Sequence, residues 1–276
     1  MSLSGRKLNF REPQVMAILN VTDDSFYAGS RKMEERAILE RVVQAIEEGA
    51  TIIDVGGYST RSGAKDISLE EEWQRVERGL KCIRDISEDI AISVDTFRSV
   101  VVERAVALVG DIIVNDISAG EADTRMVDVV AHHKLPYIAM HMRGTPQTMQ
   151  SMTQYEDGIC EAVCRYFTQR VEYLRQRGVN DIILDPGFGF AKSVEQNFEL
   201  LGGLSSLSAL GYPVLVGLSR KSMIYRALDI TPEESLAGTV ALNWEALRQG
   251  ASILRVHDVR EARQVIELYN RVKKQG

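Results

Sequence analysis

Short apolar runs, rich in valine and isoleucine, recur along the 276-residue chain: VMAILN (15–20), TIIDV (51–55), AISV (91–94), DIIVN (111–115), PYIAM (136–140), DIIL (181–184), PVLVG (213–217) and SILRV (252–256). Little polar alternation interrupts them, which predicts strands covered on both faces, as in a parallel sheet. Between the runs, apolar residues return at helical spacing: Ile38, Val42 and Ile46; Ile159, Val163, Phe167, Val171 and Leu174; Leu236, Val240, Trp244 and Leu247; Val259, Ala262, Ile266 and Tyr269. Gly49, Gly178, Gly211 and Gly250 stand between a helical segment and the next strand, where a helix C-terminus favours a residue tolerating positive φ. Eight strands, each with a helix able to follow it, predict an α/β fold of the (β/α)8 TIM-barrel type. No Pro-, Ser- or Gly-rich linker divides the chain, so a single domain is expected over 1–276, with an N-terminal extension (1–12) and a barrel (15–271). The rival, a doubly wound dinucleotide-binding sheet, would carry G-x-G-x-x-G after its first strand. Here that strand runs into NVTDDSF, which has no glycine.

Composition narrows the function. With 45% hydrophobic and 26% charged residues the chain is an ordinary globular one, and a net charge of −6 without a basic block argues against a nucleic-acid partner. No apolar run reaches the roughly 18 residues of a membrane span. The start, MSLSGRKLNFREP, lacks the apolar core of a secretory signal, so a cytoplasmic protein without a membrane partner is expected. Cys82, Cys160 and Cys164 read as reduced thiols on packed faces rather than metal ligands, although Cys160 and Cys164 are spaced one helical turn apart.

In TIM barrels the chemistry gathers where strands end and βα loops begin. The ends of the eight runs carry Asn20, Asp54, Asp95, Asn115, His141, Asp185, Ser219-Arg220-Lys221, and Arg255 with His257. Loop starts are commonly polar, so any single position needs no function. The ensemble is harder to dismiss: Asp54, Asp95 and Asn115 abut or interrupt β-branched runs and would need buried partners. In DPGFGFAK (185–192), Pro186 makes the chain turn after Asp185, while Gly187 and Gly189 let the backbone pass closely beneath a ligand. A Walker-type loop would require G-x-x-x-x-G-K-[ST], which is absent; a left-handed turn with no ligand also accounts for the glycines alone. Asp95, Asn115 and Asp185 suit a flat heterocycle with adjacent N–H donors. Arg61, Arg220, Arg255 and His257 suit phosphates.

The segments MAILNVTDDSF (16–26), DVGGYSTRSGA (54–64), SVDT (93–96), NDIS (115–118), DPGFGF (185–190), GLSRKS (217–222) and RVHDV (255–259) resemble the motifs of dihydropteroate synthases, in the same order over nearly the whole chain. The resemblance implies a TIM barrel that joins 6-hydroxymethyl-7,8-dihydropterin diphosphate to p-aminobenzoate. The products are 7,8-dihydropteroate and diphosphate, in a step of folate synthesis that sulfonamides block. It implies that Asp95, Asn115 and Asp185 bond the pterin, with Lys221 at its carbonyl and ring nitrogen, Asp54 in support below, and Met140 and Gly189 beside the ring. It also implies that Asn20 faces a Mg²⁺ bridging the diphosphate, which Arg61, Arg255 and His257 contact. Thr60, Ser62, Phe190, Lys221 and Ser222 would border p-aminobenzoate. Asp95, Asp185, Lys221, Arg255 and His257 would carry an SN1-like displacement. A homodimer through the last two helices is implied too, with Val240, Trp244 and Leu247 supplying apolar area.

Two loops depart from the family pattern. Asp23 and Ala28 stand where Pro and Asp are usual, and Ser62 replaces the Pro of STRPG, which frees the loops conformationally. A pterin-binding methyltransferase acting from methyltetrahydrofolate to a corrinoid protein shares the barrel but has no diphosphate to stabilise, so the STRSG, SRKS and RVH segments favour the synthase over it. A non-catalytic pterin binder would keep Asp95, Asn115 and Asp185 but need not keep the Mg²⁺ and diphosphate groups. His132-His133 read as a helix end, Met142, Met149 and Met152 as packing, and LEEEWQRVERG (69–79) as a solvated helix face.

Overall fold

The computed structural model describes residues 2–3, 6–7, 9–10, 12–21, 28–59, 66–145 and 148–274. Ahead of the barrel, β1 (Ser2–Leu3) pairs with β2 (Arg6–Lys7) as a small antiparallel hairpin. Strands of two residues leave no alternation in a sequence, so the extension gave no sign of them. The eight apolar runs become parallel strands: β3 (Gln14–Asn20), β4 (Ile52–Gly56), β5 (Ala91–Asp95), β6 (Ile113–Asp116), β7 (Tyr137–Met140), β8 (Ile182–Asp185), β9 (Leu215–Val216) and β10 (Ile253–Val256). Their order in the sheet is β8-β7-β6-β5-β4-β3-β10-β9, and a parallel bridge between Leu184 and Val214 brings the two edges together. The result is a nearly closed TIM barrel. Pro213, which has no N–H to give, stands two residues ahead of its shortest strand.

Helices follow in turn: α1 (Ala28–Glu47), α2 (Leu69–Ile86), α3 (Ser99–Val109), α4 (Met126–His133), α5 (Ile159–Gln176), α6 (Val194–Gly202) with α7 (Leu204–Ser208), α8 (Ser222–Leu228) with α9 (Leu236–Arg248), and α10 (Val259–Lys273). His132 and His133 end α4 as expected. Val15, Ala17 and Leu19, with Ile53 and Val55, face this helical layer. Their alternates Met16 and Ile52 join Ile113, Ile138, Ile183, Leu215 and Ile253 in a dry plug inside the barrel. One pleat repeat further along five of these strands, the inward position belongs to Asp54, Asn115, Met140, Asp185 and Arg255.

Two readings of the sequence fail here. The run 69–79 is not simply solvated: Glu72, Val76 and Gly79 of α2 are buried. The Glu72 carboxylate accepts from Thr96 Oγ1 at 2.6 Å and from Arg98 Nη1 at 2.8 Å, so a charge hidden in an acidic triplet is tolerated by its partners. Leu247 lies in the core and cannot supply a dimer surface, whereas Leu268 and Val272, one turn apart on α10, are 59% and 60% exposed.

Candidate active site

The strand alternation that builds the plug also delivers the polar layer above it. Asp54 Oδ2 accepts from Arg255 Nε at 2.6 Å and from Asn115 Nδ2 at 3.1 Å. Its other oxygen, Oδ1, is buried and has no hydrogen-bond partner among the described residues. Asp95 Oδ2 accepts from Arg255 Nη2 at 2.8 Å. Arg255, expected from the resemblance at the diphosphate, is thus gripped by two carboxylates inside the mouth. One guanidinium shared by two acids leaves a residual negative charge. Burial therefore pushes the Asp95 carboxyl up to about 7 despite Arg255. Burial works against the Arg255 charge, but Asp54 and Asp95 hold its pKa above the ordinary value.

Asp185 is fixed from the other side. Its Oδ1 accepts the N–H of Gly187 at 2.8 Å, and burial raises its pKa against the pull of Lys221. Lys221 Nζ donates to the carbonyl of Phe188 and lies 5.2 Å from the centroid of the Phe190 ring. Burial lowers this lysine to about 8, opposed by Asp185. A side chain at Gly217 would stand 3.8 Å from Arg255 Cβ and 3.9 Å from Lys221 Nζ, so this glycine keeps clear the space between the Arg255 stem and the lysine ammonium.

The glycine loop does the reverse of a phosphate loop. With Gly187 and Gly189 at φ 68° and 84°, carbonyls rather than N–H groups turn inward. Lys192 Nζ sits among them, 2.9 Å from Gly187 O, 2.9 Å from Phe190 O and 3.1 Å from His141 Nδ1. Gly189 N–H donates to Asn197 Oδ1 at 2.7 Å, tying the loop to α6. Gly187 takes a glycine because a Cβ there would strike the carbonyl of His141. The sequence assigns no role to Lys192 or Asn197: without the Walker pattern the Gly187-x-Gly189-x-x-Lys192 spacing marks no phosphate loop, and nothing along the chain shows that the lysine meets its own loop carbonyls.

His257 stands at the other rim. Ser219 Oγ accepts the His257 backbone N–H at 3.1 Å and lies 3.0 Å from its ring Nδ1. Arg220, grouped by sequence with the phosphate-binding cations, is turned aside. At φ 55° it spends its guanidinium on Asp258, at 2.9 and 2.8 Å, and on the carbonyl of Glu233 at 2.8 Å. Asn20 ends β3, exposed, in register with Gly56, where an added Cβ would stand 3.7 Å from both Asn20 Oδ1 and Asp95 Oδ2. Met140 is buried beside Asp185 in register, Phe190 is partly exposed, and Ser222 opens α8. Thr60, Arg61, Ser62 and Asp23 lie outside the described residues, and Ala28 begins α1.

A TIM barrel whose mouth offers converging carboxylates, a carboxamide and two cations is built to hold a flat, donor-rich ring. Residues 16–257 match the profile of the pterin-binding enzymes. The dihydropteroate synthase of Synechocystis sp. is 44% identical over 257 residues, spanning 92% of this chain and 88% of that protein. The Escherichia coli dihydropteroate synthase is 43% identical over 262 residues, 93% and 90% of the two chains. Among solved structures, the Yersinia pestis dihydropteroate synthase with a sulfonamide drug superimposes with a TM-score of 0.91 at 36% identity, over 99% of both chains. That of Xanthomonas albilineans with 4-aminobenzoic acid gives 0.89 at 36% identity, over 98% and 97%. The chain belongs to the dihydropteroate synthase family of pterin-binding enzymes.

Proposed function

We propose that this protein condenses 6-hydroxymethyl-7,8-dihydropterin diphosphate with p-aminobenzoate, giving 7,8-dihydropteroate and diphosphate in folate biosynthesis. The observation that carries the reading is the unpaired, buried Asp54 Oδ1 within a ring formed by Asp95, Asn115, Asp185 and Arg255. A buried acceptor without a donor is costly, and a ligand N–H or a bound water would satisfy it. Asp185 takes the adjacent donors at one edge of the pterin, and Lys221 donates to the ring carbonyl. Asp95 and Asp185 favour positive charge spreading over the dihydropterin as the exocyclic C–O bond breaks. The amine of p-aminobenzoate then attacks from the side of Phe190 and Ser222. His257 meets the departing diphosphate, while Arg255 acts from beneath it through Asp54 and Asp95. Positioning and electrostatics carry the rate, with no covalent nucleophile.

A magnesium ion fits this chemistry at Asn20. Among the described residues no group of three or more His, Cys, Asp or Glu is placed to hold a metal. A hard cation that draws most of its oxygens from diphosphate and water needs only one carboxamide from the protein, and Asn20 is exposed at the strand end. When bound it neutralises charge on the leaving diphosphate. We further propose a homodimer through α9 and α10, with Leu268 and Val272 in place of Leu247, and a cytoplasmic location, consistent with three free cysteines. Sedimentation as a monomer at micromolar concentration would count against the dimer.

The deciding assay measures diphosphate release with both substrates, with and without Mg²⁺. Release that requires p-aminobenzoate and yields dihydropteroate is expected. No release at saturating substrates would eliminate the reaction.

A further inference from the structure

We propose that Lys192 is a positioning residue: its ammonium, held by the carbonyls of its own loop, shapes the floor of the pterin site and keeps Asp185 in its ionised, accepting form. The inference rests on Asp185 being the pterin acceptor. Lys192 is only 4% exposed, and neither the substrates nor the leaving group reaches it in the reading above. Three acceptors stand within 3.1 Å of Nζ: Gly187 O, Phe190 O and His141 Nδ1. An ammonium has three N–H bonds to match them; a neutral amine has two. Burial drives His141 down to about 2, so its ring stays neutral and can accept from Lys192.

The loop is bent to provide this cradle. Gly187, Gly189 and Ala191 all take positive φ, at 68°, 84° and 50°. The same turn leaves Phe188 O for Lys221, Gly187 N–H for Asp185 and Gly189 N–H for Asn197. Lys192 therefore fixes the segment through which Asp185, Lys221 and Phe190 are placed relative to one another. Its charge bears on Asp185 as well. The groups facing Lys192 are Asp185, which favours its charge, Lys221 and Arg143, which oppose it, and neutral His141. Burial lowers Lys192 to about 7, and in return its charge helps hold down an Asp185 pKa that burial raises. Without that charge, Asp185 takes up a proton at higher pH and presents a donor to the donors of the pterin.

The test is calorimetric titration of the pterin diphosphate, from about pH 5 to pH 9, into wild type, Lys192→Gln, Lys192→Met and Asp185→Asn. Glutamine keeps N–H donors for the loop carbonyls but no charge. Its acid limb of binding should move toward neutral by about one pH unit, with about 3–10-fold weaker binding on the plateau. Methionine, with neither donors nor charge, should lose about 10–100-fold. A Lys192→Gln curve that superimposes on wild type, or a loss of affinity with no displaced acid limb, would overturn the proposal. If neither variant folds, the wild-type complex decides: the Lys192 Nζ nitrogen resonance should report an ammonium at about pH 5.5, well below its pKa of about 7, and a neutral amine there would also overturn it. Unchanged affinity in Asp185→Asn would instead sink the reading of the site, which keeps the two failures apart.

Discussion

Two layers of the barrel interior differ by a single pleat repeat. In the lower one, Met16, Ile52, Ile113, Ile138, Ile183, Leu215 and Ile253 close on one another without a polar atom. In the upper one, on the same strands, Asp54, Asn115, Asp185 and Arg255 meet with Asp95. Backbone geometry is shared and both layers are largely sequestered from water, so strand structure does not separate them. Side-chain satisfaction does. The lower layer is complete by itself, while the upper leaves Asp54 Oδ1 without a partner among the described residues and two carboxylates on one arginine. The plug is satisfied by its own packing, whereas the mouth is held by ion pairs and keeps one buried acceptor with no partner among the described residues.

The sharpest way to break this contrast is Arg255→Ala. Removing the shared cation strands two carboxylates, and the expected stability loss is about 3–5 kcal/mol, read from denaturant unfolding. Turnover should fall about 10²–10³-fold with a much smaller change in p-aminobenzoate affinity. Undiminished stability would mean that the mouth is not held by its ion pairs. Next comes the plug: Ile183→Ala, one pleat below Asp185, should cost about 2–5 kcal/mol while pterin affinity stays within about twofold. A tenfold loss of affinity there would show that the two layers cannot be separated.

Asp185→Asn sharpens the comparison from above. One accepting oxygen becomes a donor facing donors, and calorimetry should find pterin binding weaker by about 1–3 kcal/mol, with little change in folding stability. A further comparison concerns pH. The folded-state pKa of Asp95 is raised from 3.8 to about 7, so its contribution to stability is fully present below 3.8 and is lost as pH rises through about 7. Between those values the melting temperature of the ligand-free wild type should drop relative to Asp95→Asn, by about 2–4 °C for each kcal/mol involved. Parallel melting curves for the two proteins would remove the raised pKa from the account.

Much of this was legible in the residues. All eight apolar runs became strands of the barrel, because a strand buried on both faces must be continuously apolar until it reaches the mouth. The polar residues Asp54, Asp95, Asn115 and Arg255 meet at one mouth for the same reason. Glu72 was missed because its partners, Thr96 and Arg98, come from a different βα unit, and an acidic triplet on a helix looks the same whichever member turns inward. Arg220 and Arg255 were equivalent in sequence, each a cation at a strand end. Only packing gave Arg220 to Asp258 and Arg255 to Asp54 and Asp95.

From the order of its residues alone this chain specified a barrel, since burial and periodicity are local properties written along each strand, and its motifs carried the resemblance to a family. The pairing of each charge, the unmet oxygen of Asp54 and the ammonium enclosed by its own glycine loop were decided by the tertiary structure. Electrostatic partners are chosen by distance in space, and residues as far apart in sequence as Asp54 and Arg255 come within 2.6 Å of each other only once the sheet curls round on itself.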